Sequence, residues 1–286
     1  MADERLERLA YRLLGSVEDA EDVVQDARVR LLALEHTPDN VDAYLFRVVA
    51  NLAIDRLRRR KVERRTYPGP WLPEPLATPH AGEVEAARRD DLSVGLLLLL
   101  ETVSASERVA FVLREAYELT FQEIGELLDI GTDACRQRYH RARRKLAARV
   151  PTSAPPEQHR RVLERLVDAV AAGDPEAVAE LLTGDALLVT DGGGRVSAAV
   201  RPVAAPERIA RVLVHLASRE DLGDLRREFR ALNDSTGLVL IRDLPKGGAE
   251  LYGCVQLEVR GEQVSRIFVV RNPTKLKRLS AGSVVT

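Results

Sequence analysis

The sequence predicts a multidomain fold: two all-α domains in tandem, then a C-terminal α+β domain. Three observations carry this. Apolar residues recur at helical spacing, with no strand-like alternation, through residues 1–65 and again through 84–150. Proline-rich stretches at 66–79 and 150–156 interrupt that pattern. Beyond 157, two helices give way to short runs rich in Val, Leu and Ile, bounded by Gly, Asn and Pro. The chain therefore divides into 1–65, a linker at 66–83, 84–150 and 151–286.

Composition bounds the rest. Hydrophobic residues at 45% suffice for packed cores, and with 4% aromatics those cores are built from Leu, Val and Ala. The N-terminus is charged from Asp3 onward, and no apolar run reaches the length of a bilayer crossing, so a soluble, cytoplasmic protein without a membrane partner is expected. Cys135 and Cys254 are isolated in sequence, which predicts two buried thiols rather than a disulfide or a metal site.

In the first segment, Ser16 with Asp19 has the spacing of a capping box, followed by Ala20, Val23, Val24, Ala27, Leu31 and Leu34 at helical intervals. A further helix starts near Asp42 and ends in the basic cluster 58–61. The linker "TYPGPWLPEPLATP" holds five of the 14 prolines, so it is extended and semi-rigid. Trp71, the only tryptophan, stands there beside Leu72; a large apolar side chain between prolines is costly to leave in water, so it should dock on another domain.

In the next helical segment, Ser104 with Glu107 and Thr120 with Glu123 mark two helix starts. The second opens "FQEIGELL", then "DIG", then a helix in which residues 131–149 gather seven bases against one acid, in a chain of net charge −1. Placed at 100° per residue, Cys135, Tyr139, Ala142 and Leu146 form one apolar stripe, opposite a polar, basic face. A capped helix, a short turn and a basic helix with a buried stripe describe a helix-turn-helix. Arg136, Gln137 and His140 are placed to read base edges, and Arg141, Arg143 and Arg144 to hold phosphates.

The C-terminal segment should begin with helices at 157–172 and after Asp174, with another at 206–217. Strand-like runs are "LLVT", "LVLIR", "LYGCVQLEV" and "VSRIFVV", which suggest a curved antiparallel sheet. "DGGGR" at 191–195 reads as a loop at a strand end, with Asp191 and Arg195 projecting outward and glycines permitting positive φ. Acid-base groups are sparse: His159 and His215 fall outside the strands, and Asp191, Asp234 and Asp243 sit near turn residues where Asp has backbone reasons to be. No catalytic residue, metal or cofactor is assigned.

The order of parts resembles the extracytoplasmic-function (ECF) group of bacterial sigma factors. "EDAEDVVQDARVRLL" with "YLFRVVANLAIDRLRRR" is similar to their region 2, a helical bundle, and "LTFQEIGELLDIGTDACRQRYHRARRKL" to their region 4. "WLPEP", "DGGGR" and "NPTKL" resemble signatures of a subgroup with a SnoaL-like C-terminal cone; Arg195 stands where Lys is expected, which keeps the charge.

The resemblance implies RNA polymerase core and promoter DNA as partners, with region 4 on the −35 duplex and region 2 on an opened −10 strand. It implies core contacts by Asp19, Glu21, Asp22, Gln25 and Asp26, a −10 pocket at Val48 and Asn51, and backbone contacts by Arg56, Arg58, Arg59 and Arg60. It further implies regulation in cis, with Gly192, Gly193 and Gly194 between Asp191 and Arg195, together with Asn272, Pro273, Lys275 and Leu276, meeting the linker at Trp71 and Leu72, so that a separate anti-sigma protein is not needed. The residues leave open a helix-turn-helix regulator with a ligand-sensing, or catalytic, C-terminal domain.

Overall fold

The computed structural model describes residues 2–77, 93–147, 154–219, 225–233, 235–245 and 247–280. The end of the linker, the start of the second helical segment and Asp234 lie outside these. The first unit is α1 (Ala2–Leu14), α2 (Val17–Leu32) and α3 (Val41–Glu63). Gly15, at φ 66°, makes the sharp turn into α2, a left-handed conformation glycine adopts without penalty. Ser16 caps α2 by accepting from Asp19 N, but the expected reciprocal bond from the Asp19 carboxylate is replaced. The Asp19 carboxylate is held by Arg56 and Arg60 instead, and Glu74 of the linker adds its own cap, accepting from Ser16 Oγ at 2.7 Å and Val17 N at 3.0 Å. Leu34, expected in the helix, falls beyond its end and is exposed.

The second unit is α4 (Val94–Leu100), α5 (Ala105–Tyr117), α6 (Phe121–Leu127) and α7 (Thr132–Ala147). Both later capping boxes are complete, satisfying backbone donors at the starts of α5 and α6. Gly125 lets the turn into α7 pass close: a Cβ there would lie 2.7 Å from Ile130 O. Leu9 and Leu13 of α1, Val49 and Ala53 of α3, Leu97, Leu100, Val109 and Leu113 of α4 and α5, and the stripe of α7 all belong to one apolar core. The two helical units therefore share their interior.

The C-terminal domain comprises α8 (Pro156–Ala171), α9 (Pro175–Glu180), β1 (Leu182–Asp191), β2 (Val203–Ala204), α10 (Pro206–Ala217), β3 (Arg226–Leu232), β4 (Ser235–Asp243), β5 (Ala249–Arg260), β6 (Gln263–Val270) and α11 (Pro273–Ser280). The sheet order is β2-β1-β6-β5-β4-β3, antiparallel except where β1 runs parallel to β6. The α+β class is as expected from sequence; β2, β3 and the parallel pair are additions to that reading. β3, "RREFRAL", is a half-exposed edge strand whose charged side chains hide its periodicity.

The sheet is covered on both faces. Leu188, Leu238, Leu257 and Ile267 pack under Val162, Leu163, Val178 and Ile209 of α8–α10. The opposite face, with Val189, Val239, Cys254 and Phe268, receives Leu276 and Leu279 of α11, Leu72 of the linker and Val94 of α4. Leu72 is fully buried, worth about 1.5–3 kcal/mol in apolar transfer. Among the described residues no helix is long and apolar enough to cross a membrane, and no group of three or more His, Cys, Asp or Glu could hold a metal ion. Both cysteines are free and buried, and burial pushes the Cys254 thiol up to about 12.

Candidate nucleic-acid interface and its covering domain

Helix α7 buries Cys135, Tyr139, Ala142 and Leu146, the four residues of the stripe read from sequence. Tyr139 stacks on Phe111 at 6.1 Å and donates to Glu115 at 2.6 Å, which fixes the roll of the helix. Arg136, Gln137, His140, Arg141, Arg143 and Arg144 are consequently all exposed. Arg136 and Arg141 pair with Asp133 and Gln137 on the same helix, and Arg136 also lies 5.6 Å from the centre of the Phe121 ring of α6. Such exposed pairs are weak, so the face is free to meet an anionic surface.

The α3 candidates are placed differently. Asn51 donates to Arg47 O at 3.1 Å and, across the unit boundary, to Leu127 O at the end of α6 at 3.4 Å. Half-buried Val48 packs against the shared core one turn away. Arg58 and Arg59 are exposed, Arg58 pairing with Asp55. Arg56 and Arg60 both hold the buried carboxylate of Asp19, Arg56 Nε at 2.8 Å, and Arg60 also donates to Leu14 O at 2.6 Å. Asp19 was expected to face a partner; it is turned inward, because two arginines of α3 compensate it there. Asp22, Gln25 and Asp26 do share an exposed face of α2, with Glu21 half-buried beside them. That face continues into Val29 and Leu32, 59% and 85% exposed, which sequence reasoning passed over.

At the C-terminal domain, the linker is gripped by one buried carboxylate. Asp191 ends β1; its Oδ1 accepts from Tyr67 OH at 2.6 Å and Gly193 N at 3.0 Å, and its Oδ2 from Leu72 N at 2.9 Å and Lys275 Nζ at 2.7 Å. Lys275 also donates to Leu72 O and lies 4.0 Å from the centre of the Trp71 ring. Arg64 lies 3.7 Å from the same ring and Arg60 5.3 Å, so three cations surround one indole. Burial lowers Lys275 to about 8 in spite of Asp191, and burial with neighbouring Arg60 and Arg108 lowers Arg64 to about 9. Asn272 starts α11, accepting from Thr274 N at 3.1 Å, and donates to Tyr67 OH at 3.1 Å. Exposed Pro273 follows it as the first residue of α11.

The glycines of "DGGGR" are required by this closeness. Gly193 and Gly194 have φ of 60° and 68°; a Cβ on Gly193 would enter the Asn272 side chain, one on Gly194 would meet Pro68, and one on Gly192 would meet Val196 O. Arg195 points outward as expected, but Asp191 does not, because its acceptors are consumed by the linker. Trp71 and Leu72 dock as their chemistry predicted. Tyr67, Glu74 and Asn233 complete the contact and were missed. Asn233, buried at φ 48° in the β3–β4 turn, accepts from Leu76 N at 3.2 Å and donates its own N–H to Leu76 O at 2.9 Å.

The chain matches the family models for sigma-70 region 2 over residues 3–63 and sigma-70 region 4 over 93–146. It is 33% identical over 285 residues to the ECF RNA polymerase sigma factor SigJ of Mycobacterium tuberculosis, covering 95% of this chain and 90% of that protein. The probable ECF RNA polymerase sigma factor SigI of the same organism is 34% identical over 185 residues, 61% of this chain and 62% of the relative. The crystal structure of SigJ superposes with a TM-score of 0.78 at 30% identity, over 100% of this chain and 98% of that one.

Proposed function

Because the chain belongs to the ECF sigma factors of RNA polymerase, we propose that it directs initiation by docking α2 on the polymerase core, α7 on the −35 duplex and α3 on an opened −10 strand. The α2 surface suits a partner with basic groups around an apolar centre: Asp22, Gln25 and Asp26 lie beside exposed Val29 and Leu32. On α7, Arg136, Gln137 and His140 meet base edges, and Arg141, Arg143 and Arg144 meet phosphates. On α3, Asn51 and Val48 take an unstacked base, while Arg58 and Arg59, with Arg56 and Arg60 once released, follow the backbone. We assign the division 1–65, 66–83, 84–150 and 151–286 to region 2, linker, region 4 and regulatory domain.

The single observation behind regulation in cis is the bond from Asn51 to Leu127 O. Positions −35 and −10 are roughly 25 base pairs apart, about 85 Å along B-form DNA at its per-strand rise. A base-reading asparagine touching the helix that precedes α7 cannot serve both elements, so this is a closed, non-reading conformation. The C-terminal domain holds it by gripping the linker through Asp191, Asn272 and Lys275, in place of a separate anti-sigma protein; because it is tethered, a modest interface suffices. Its role is binding rather than catalysis: His159 is buried with Nε2 against Leu257 O, and burial holds its pKa down.

Run-off transcription with purified core polymerase, with and without the full chain, tests the reading. A cognate start site used only when the chain is present is the expected result; duplex binding without initiation would favour a simple helix-turn-helix regulator.

A further inference from the structure

The closed chain has three bodies and must open, and its contacts differ in kind. From the C-terminal domain to the linker run the bonds of Asp191, Lys275 and Asn272, the paired bonds between Asn233 and Leu76, and the bridge of Ala77 with Leu232. From the linker to region 2, Glu74 N donates to Gly15 O at 2.9 Å and the Glu74 carboxylate caps α2. Tyr11 of α1 ties region 2 to both, donating to Glu74 O of the linker at 2.7 Å and accepting from Asn233 Nδ2 of the C-terminal domain at 2.5 Å. Gln256 donates to Asn233 Oδ1 at 3.3 Å and to Leu232 O at 3.0 Å, locking the amide orientation. Asn233, Tyr11 and Gln256 are all buried, where an exchange of partners with water is closed to them.

Region 4 meets the C-terminal domain by other means. Val94 and Leu98 lie on the sheet, and among the described residues no hydrogen bond joins α4 to it. The Glu258 carboxyl of β5 sits against Gly95, in the space a Cβ would fill, with Arg266 and Arg260 as the charged groups nearby. Region 4 meets region 2 through apolar packing, a cluster in which Arg64 and Arg108 share Glu101, and two long bonds, from Asn51 to Leu127 O at 3.4 Å and from Arg108 to Arg12 O at 3.5 Å. Among the described residues Arg64 Nε and Nη2 and Arg108 Nε are buried there without an acceptor, so these guanidinium groups are only partly compensated.

We propose that the C-terminal domain and the first part of the linker form one body with region 2, and that opening carries region 4 away from both. The inference rests on the sigma-factor reading for why the chain opens, and on the contacts alone for what moves.

Paired spin labels at exposed Asp42 (α3), Glu126 (α6) and His215 (α10) separate the bodies, since the native cysteines are buried. In a complex of the full chain with core polymerase and promoter DNA, the 42–215 distance should persist while 42–126 and 126–215 lengthen by tens of ångströms, roughly as element spacing demands. In the free chain, Gly95→Leu should lengthen 126–215 and 42–126 together while 42–215 persists, and Tyr11→Phe should broaden 42–215. His215 travelling with Glu126, or Gly95→Leu displacing 42–215, overturns the inference. Absence of any polymerase complex would instead count against the sigma-factor reading, and the free-chain arms would still decide this one.

Discussion

Two helices of this protein carry the residues proposed to meet promoter DNA, and the closed chain treats them differently. Helix α7 turns all six candidate side chains to solvent, whereas of the α3 candidates only Arg58 and Arg59 are exposed with no contact beyond their own helix among the described residues. Exposed Asn51 is bonded to Leu127 O of α6, half-buried Val48 packs on the core, and Arg56 and Arg60 are bound to Asp19. The reason is local. The α7 contacts lie on the face opposite an apolar stripe, so packing the stripe exposes them automatically; the α3 helix is apolar on several sides and its basic end runs into the linker. On the proposed assignment, the −35 contacts are presented in the closed chain and part of the −10 contacts is conditional.

The sharpest way to break the contrast is at the α2 and α3 surfaces. Asp22→Lys with Asp26→Lys should abolish run-off transcription, and Asn51→Ala should prevent strand opening as read by permanganate, while both variants keep wild-type affinity for −35 duplex. Next in size is the latch. Asp191→Ala leaves Lys275 buried without its carboxylate, a change that typically costs about 3–5 kcal/mol, and proteolysis of the linker should accelerate accordingly.

Smaller effects sharpen the open side. Arg136→Ala should relax preference at one −35 position by about 1–3 kcal/mol, while Arg143→Ala should weaken all sequences alike and make the salt slope shallower by about 0.9 for each phosphate no longer neutralised. The smallest concerns pH. Burial raises the Glu258 carboxyl from 4.5 to about 7, so the docked form keeps a proton that the undocked form releases between those values. Docking of α4 is then strongest at acid pH and weakens as pH rises through that window. A 126–215 distance that responds to pH between 5 and 8 in wild type but not in Glu258→Gln is expected.

Much of this was legible in the sequence because it is periodic or local. The α7 stripe, the caps at Ser104 and Thr120, and the helix at 206–217 depend on neighbours a few residues away. Trp71 announced a docking site through residue chemistry alone, whereas the glycines at 192–194 announced only a positive-φ loop, and their meeting with the linker was an implication of the family resemblance. What stayed hidden depends on distant partners. Glu74 is an ordinary linker acid until it caps α2, and Asn233 is an ordinary turn residue until Tyr11 of α1 reaches it, more than two hundred residues away in sequence. The Ser16 box misled for the same reason, since remote arginines of α3 hold the Asp19 carboxylate. The shared core of the two helical units leaves no trace in either amphipathic pattern, because each stripe reads the same whether it is buried by its own unit or by another.

The chain's sole tryptophan is the residue on which Lys275, Arg64 and Arg60 converge. Its excited-state dipole therefore senses three positive charges when the linker is held, and water when it is released. Ultraviolet emission from unlabelled protein reports the state of the latch directly, with no competing indole to subtract.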